Sequence, residues 1–183
     1  NLMEERWASD LFRLNKSFVI HRSGGTKKEI YSSLLLASQF IYKSIFHDSD
    51  SVWIAQKQGR AKDGIDETDS ALLKMIHLTE RKSQSIASYF NSLKVVPVSI
   101  SYEFDPNDLL KAKELYSSQS NSVYAKEKDE DLRSIANGIT GFKGNVNINL
   151  SEPMRFEDED DYQKISNKIT HSIVSMYELH ATN

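Results

Sequence analysis

The chain is 183 residues long, 39% hydrophobic and 27% charged, with no cysteine and a formal net charge of −3. Such a chain suits one domain that buries its own core, and the lack of cysteine excludes disulfides, thiolate zinc sites and a cysteine nucleophile. Residues 1–62 carry ten Lys/Arg against six Asp/Glu and the remainder thirteen against twenty, so an anionic partner fits the first third, while a duplex nucleic-acid binder would be more basic overall.

In chain order, residues 1–15 place Trp7, Leu11 and Leu14 at helical spacing. This stripe reads as core before it reads as membrane contact, and its abrupt opening on Asn1 suggests a fragment of a longer protein. SFVI at 17–20 reads as a short strand ending at His21-Arg22. Thr26 with Glu29 three residues on is a capping-box spacing, and Ile30, Leu34, Ile41 and Ile45 mark one face of the helix that follows, to about His47-Asp48. VWIA at 52–55 reads as a buried strand. Ser70 is placed to cap a helix through Ile76, and a further helix is expected over 83–92. VVPVSISY at 95–102 is β-branched, with Pro97 pointing to an edge or an irregularity.

Beyond Asp105-Pro106 the pattern is helical through DLLKAKELY and again through DEDLRSIANGIT. A GlyPheLysGly turn at 141–144 leads into NVNINL, whose alternation predicts a half-buried strand. The run Glu157–Asp161 stands before a helix faced by Tyr162, Ile165, Ile169, Ile173 and Met176, and is expected to be a solvated cap. The alternation predicts a single α/β domain over 1–183, with a mostly parallel or mixed central sheet flanked by helices. The histidines show no metal-ligand spacing, and no metal is expected.

Strand 52–55 hands over to QKQGRAKDG, which gathers Lys57, Arg60 and Lys62 around two glycines. Ligands of open α/β sheets bind beyond the carboxyl ends of strands, and a charge-assisted hydrogen bond from arginine to phosphate is worth about 1.5–3 kcal/mol. Arg22, at the end of the first strand, is expected to join Arg60 and Lys62 in holding a phosphate. Solvated surface cations with turn glycines are the plainer alternative, and the spacing fits neither a P-loop nor a dinucleotide fingerprint.

These blocks, taken together over roughly residues 1–150, resemble the glycerol-3-phosphate and lysophosphatidic acid acyltransferase superfamily, most nearly a branch typical of Bacteroidetes. KSFVIHR is similar to the family's Gly-x-Ile-Phe-Ile-x-Arg block, with Arg22 at its phosphate-contacting arginine and Lys16 in place of the glycine. AQKQGRAKDG is similar to Phe-Pro-Glu-Gly-Thr-Arg-Ser-Arg-Asp-Gly, which sets Arg60 and Lys62 on the two cationic positions and retains Asp63 and Gly64. VVPVSI is similar to the fourth block through Pro97. The resemblance makes Arg22, Arg60 and Lys62 phosphate-binding residues and Lys57, Gln58, Gly59 and Pro97 neighbours of the active site. Two departures stand out. The Glu-Gly of the third block is Lys57-Gln58 here, or Gln58-Gly59 if the glycines are matched, and neither register keeps a carboxylate. The family's His-x-x-x-x-Asp block, source of its general base, does not occur in this sequence, so no catalytic residue is assigned and this chain alone is expected to be inactive.

The resemblance implies an acyltransferase of phospholipid biosynthesis. It would move a fatty acyl group from acyl carrier protein or a coenzyme A thioester to a hydroxyl of a glycerol phosphate or lysophospholipid. It implies no cofactor beyond that co-substrate, no nucleic-acid partner, and a cytoplasmic enzyme lying peripherally on the inner face of the membrane. The alternative is a non-catalytic α/β module that binds phosphate or anionic lipid.

Overall fold

The computed structural model describes residues 6–14, 17, 25–57, 64, 66–119 and 129–181. Helix α1 (Arg6–Leu14) opens this set. Of its expected stripe, Trp7 and Leu11 lie outside the side chains described, and Leu14 is exposed rather than part of the core. The expected strand at 17–20 lies, apart from Ser17, outside the described residues.

Helix α2 (Lys27–Phe46) starts where the capping box predicts. The Thr26 hydroxyl accepts from the Glu29 N–H, and the Glu29 carboxylate accepts from the Thr26 N–H at 2.6 Å. Those bonds from Thr26, backbone first and side chain second, hold the Glu29 carboxyl below its ordinary range. Helix α3 (Ser70–Ile76) is capped by Asp69 and not by Ser70, which is its first helical residue. The carboxylate of Asp69 reaches the Ala71 N–H at 2.8 Å, a stronger acceptor than a hydroxyl for the free amides of a first turn. Helix α4 (Ile86–Leu93) begins at the Ser85 cap and closes on Lys94 in the left-handed conformation. Helices α5 (Asp108–Gln119), α6 (Glu130–Thr140) and α7 (Tyr162–Ser175) fall in the segments expected from the sequence.

The core is helical. Ala37 and Ile41 of α2 meet Leu72, Leu73, Met75 and Ile76 of α3; Ala87, Tyr89 and Phe90 of α4 and Ile165 and Ile169 of α7 complete it with Phe156. Two of its polar side chains tie separate elements together. Ser38 of α2 donates to the Ile76 carbonyl at 2.8 Å and accepts from the Thr79 N–H and hydroxyl, which pins α2 to the end of α3. Asn91 pairs through both ends of its amide with the Phe156 backbone, as a neighbouring strand would.

Mixed helix and sheet is therefore right as a class, but the expected mostly parallel or mixed central sheet is not what the described residues form. Their sheet is two antiparallel strands, β1 (Val98–Tyr102) and β2 (Val146–Leu150), in the register Val98↔Leu150, Ile100↔Ile148, Tyr102↔Val146. Residues 51–55 form no strand. A strand exists through ladder bonds to a neighbour, and an apolar run alone does not supply one; Val52 packs on the core while Trp53 stands 72% exposed. The expected strand at 95–102 begins only at Val98, because Pro97 has no N–H for a ladder; its carbonyl still accepts from Ser151. At the other end Gly144, with φ +62°, allows the turn: a Cβ there would sit 2.5 Å from the Glu103 carboxylate and 2.9 Å from the Phe104 ring.

The faces of this ribbon reverse the usual arrangement. The alternation in NVNINL predicts apolar residues inward, yet Val146, Ile148 and Leu150 are exposed. It is the polar set that turns in: Ser99 and Ser101 are 2% and 1% exposed, and Ser99 Oγ and Asn149 Nδ2 both donate to the Met176 carbonyl at the end of α7. That helix end needs donors for its free carbonyls, and the ribbon supplies them from its serine and asparagine face.

Candidate functional site

The cation-bearing loop is fastened at both ends. The Asp69 N–H donates to the Gln56 carbonyl at 3.0 Å, and the Thr68 hydroxyl donates to the Gln56 side-chain oxygen at 2.9 Å. The Thr68 N–H donates to Thr170 Oγ1 of α7 at 2.8 Å, so the stem also docks on the last helix. Lys57 reaches Asp66 across the stem at 3.5 Å. The flanking residues Gln56, Lys57, Asp66 and Thr68 thus meet beside the N-cap of α3, with Thr68 against α7. Gly64 has φ +77° and open space where a Cβ would go, a backbone conformation that suits glycine.

Of the residues expected at the phosphate, Arg22, Arg60 and Lys62 lie outside the described residues, as do Gln58 and Gly59. Lys57 is the described cation of the group, and it is engaged with Asp66. Pro97 is buried at the head of β1, where it shapes the start of the ribbon.

A concave region elsewhere went unnoticed in the sequence. An open cleft of about 410 Å³ lies between the α3–α4 connection, through His77, Arg81, Gln84 and Ser85, and the start of α7, through Asp158, Asp160 and Tyr162. His77 is 1% exposed, stacks on Tyr89 at 4.8 Å, and shares a 2.9 Å hydrogen bond between Nδ1 and the Tyr162 hydroxyl. Burial lowers its pKa below the ordinary histidine range. The Gln84 backbone opposes this, but from outside hydrogen-bonding geometry, since Nε2 has no partner. The imidazole is accordingly neutral near pH 7. Burial raises the hydroxyl pKa of Tyr162.

Opposite His77, the acidic run is only partly the solvated cap expected. Asp161 caps α7 through the Lys164 N–H at 2.8 Å. Asp160 is covered, though not deep, and binds Lys168 and the Glu157 N–H. The Lys168 hydrogen bond is the main reason its carboxyl titrates below the usual range. No local spacing could have revealed the His77–Tyr162 pair, because 85 residues separate its members. Among the described residues, no group of three His, Asp or Glu side chains is arranged to hold a metal ion, and no helix is long and apolar enough to cross a membrane.

No family model matches the chain, and no curated protein or solved structure matches it either.

Proposed function

We propose that the chain is the acceptor-binding part of an acyltransferase that esterifies a hydroxyl of a glycerol phosphate or lysophospholipid. The observation that carries this reading is the fastened stem: Gln56, Lys57, Asp66 and Thr68 bracket in sequence the segment bearing Arg60 and Lys62. Closing a loop at its base lowers the entropy lost when its cations gather on one ligand. The ordered blocks KSFVIHR, AQKQGRAKDG and VVPVSI supply the class of reaction by resemblance.

In this reading Arg22, Arg60 and Lys62 hold the acceptor's phosphate and so fix its hydroxyl near the donor thioester. The hydroxyl oxygen attacks the thioester carbonyl carbon while a general base takes its proton. Collapse of the tetrahedral intermediate breaks the C–S bond, and the carrier leaves as a thiolate that is then protonated. The base is no residue of this sequence in the His-x-x-x-x-Asp spacing; a positioned base contributes roughly 10²–10⁴ in rate, so the 183-residue chain binds acceptor without turning it over efficiently. The enzyme so described works at the cytoplasmic membrane surface with acyl carrier protein or coenzyme A thioesters.

The test is binding and transfer measured together. Glycerol 3-phosphate titrated into the chain should bind, and Arg60→Ala should weaken that binding about tenfold or more, in line with one lost charge-assisted bond. In a protein that includes the His-x-x-x-x-Asp block, the same change should raise KM for the acceptor and leave KM for the acyl donor nearly unchanged. Equal loss on both substrates with a lowered melting temperature would mark a folding defect and end the phosphate assignment. Lys57-Gln58 in place of Glu-Gly favours a second reading, a module that binds phosphate or anionic lipid without catalysis. Tight phosphate binding with no transfer in the longer protein would select it.

A further inference from the structure

The two walls of the cleft beside α7 are joined by the His77–Tyr162 hydrogen bond. His77 closes α3 and belongs to one wall; Tyr162 opens α7 and belongs to the other. On the α7 side the chain is anchored before and after this point. Asn91 holds the Phe156 backbone through both ends of its amide, and Ile165 and Ile169 are buried in the helical core. Residues 157–162 lie between these anchors and are braced among themselves and to α7. Asp160 accepts from the Glu157 N–H and binds Lys168, and Lys164 Nζ donates to the Glu159 carbonyl at 3.0 Å. A stretch so braced moves as a unit when Tyr162 lets go.

The place of the imidazole suits a neutral ring. It is 1% exposed, stacked on Tyr89 and met edge-on by Phe90 at 6.2 Å between centroids. An imidazolium carries a proton on both nitrogens. Tyr162 can accept one of them, but Nε2 finds no acceptor in bonding geometry among the described residues. The surrounding charges do not offset this. From the α3–α4 connection Arg81 opposes a positive ring, and Glu80, which favours one, already takes the Ser83 hydroxyl at 2.5 Å. Helix α3 sets Lys74 6.0 Å from the centroid of the Tyr162 ring. Helix α4 offers the phenol of Tyr89, with that of Tyr42 of α2 beyond it. Across the cleft Asp160 is engaged with Lys168, and Asp158 is exposed. A charged ring shut in here is short of both an acceptor and a counter-ion, and contact with water relieves it.

We propose that the His77–Tyr162 pair is an acid-released clasp: with a neutral ring it holds residues 157–162 against the α3–α4 connection, and with a protonated ring it lets that stretch swing out and the cleft widen. The closed form prefers the neutral ring. The open fraction is therefore insensitive to pH above about 6.5 and rises below it, by up to about tenfold per pH unit.

The chain has no cysteine, so spin labels can be placed in the full 183-residue protein at Lys82→Cys on the connection and Glu159→Cys on the moving stretch, both exposed. Between pH 7.5 and 5.5 their distance distribution should gain a longer component, while labels at Lys43→Cys of α2 and Ser88→Cys of α4 keep theirs. In a His77→Phe/Tyr162→Phe background, which keeps two stacked rings and removes both polar partners together, the first pair should stay at its short distance at both pH values. No longer component at pH 5.5 overturns the proposal. So does an equal lengthening of the α2–α4 pair, which would be general acid expansion, or acid lengthening that persists in the double variant. Should the double variant fail to fold, NMR titration of the assigned His77 ring in the wild type decides the matter. Its midpoint should coincide with that of the distance change, and a separate midpoint overturns the proposal.

Discussion

In the helical core the apolar side chains are inside, and Ser38 is admitted with its hydroxyl engaged by Ile76 and Thr79. In the β1–β2 ribbon it is the serines that are buried, with Ile148 and Leu150 left outside. The two regions answer different demands. The core gains from removing apolar surface from water, at about 25 cal/mol per Å². The ribbon's inner face instead supplies donors to the Met176 carbonyl at the end of α7, where an unmet buried acceptor would cost about 1–3 kcal/mol. Its apolar residues are thereby displaced to the far side. A hydrophobic pattern fixes which residues share a face; what that face must touch decides which way it turns.

The sharpest break between the regions comes from truncation. Phe90→Ala, at a side chain 1% exposed within an aromatic cluster, should cost about 3–5 kcal/mol in urea unfolding, whereas Ile148→Ala, in dilute protein, should stay within about 0.5 kcal/mol. A large loss at Ile148 in the monomer would mean the ribbon's outer face is core after all. Next is Tyr89, whose hydroxyl donates to the Ile76 carbonyl and whose pKa burial pushes up to about 12, helped by Glu80 and Tyr42. Folded Tyr89 stays neutral while an unfolded tyrosine ionises near pH 10. Stability should therefore hold up to pH 10 and fall between 10 and 12 by on the order of 2 kcal/mol, and Tyr89→Phe should flatten much of that fall. The stem is a smaller lever: Asp69→Ala, which removes the cap of α3, should lower stability by about 1 kcal/mol.

The smallest effect expected is acidic. The folded pKa of His77 lies below its unfolded value, so above about pH 6.5 both states carry a neutral ring and pH has no leverage through it. As pH falls below that value the unfolded chain takes up the proton first, and stability declines until the folded pKa is reached. His77→Phe should remove this part of the slope in thermal melts recorded between pH 5 and 7, and an unchanged slope would assign the acid sensitivity to other groups.

Local signals in the sequence were legible where local physics decides. The Thr26–Glu29 box located the start of α2 to the residue, and Ile165 and Ile169 marked the buried face of α7. The Ser70 cap was one residue late because two adjacent polar side chains compete for the same free amides and the carboxylate wins. Long-range pairing was not legible. VWIA has the composition of a strand, but nothing within it says whether a neighbour will supply the ladder. Nor could NVNINL reveal that Asn149 would be needed at Met176, 27 residues on. At the candidate site, the glycine and cation pattern singled out a segment that lies mostly outside the described residues, while the fastening of its stem to α7 through Thr170 depends on a contact 102 residues away in sequence.

That same contact ties two distant events together. The Thr68 amide rests on a hydroxyl in the middle of α7, so on the proposed reading an anion held by the loop would also bear on the last helix. Occupancy of the loop should consequently be readable from afar, as slower hydrogen–deuterium exchange at Thr68 and along the adjoining turn of α7, and Thr170→Val should silence that report while leaving the cations themselves untouched.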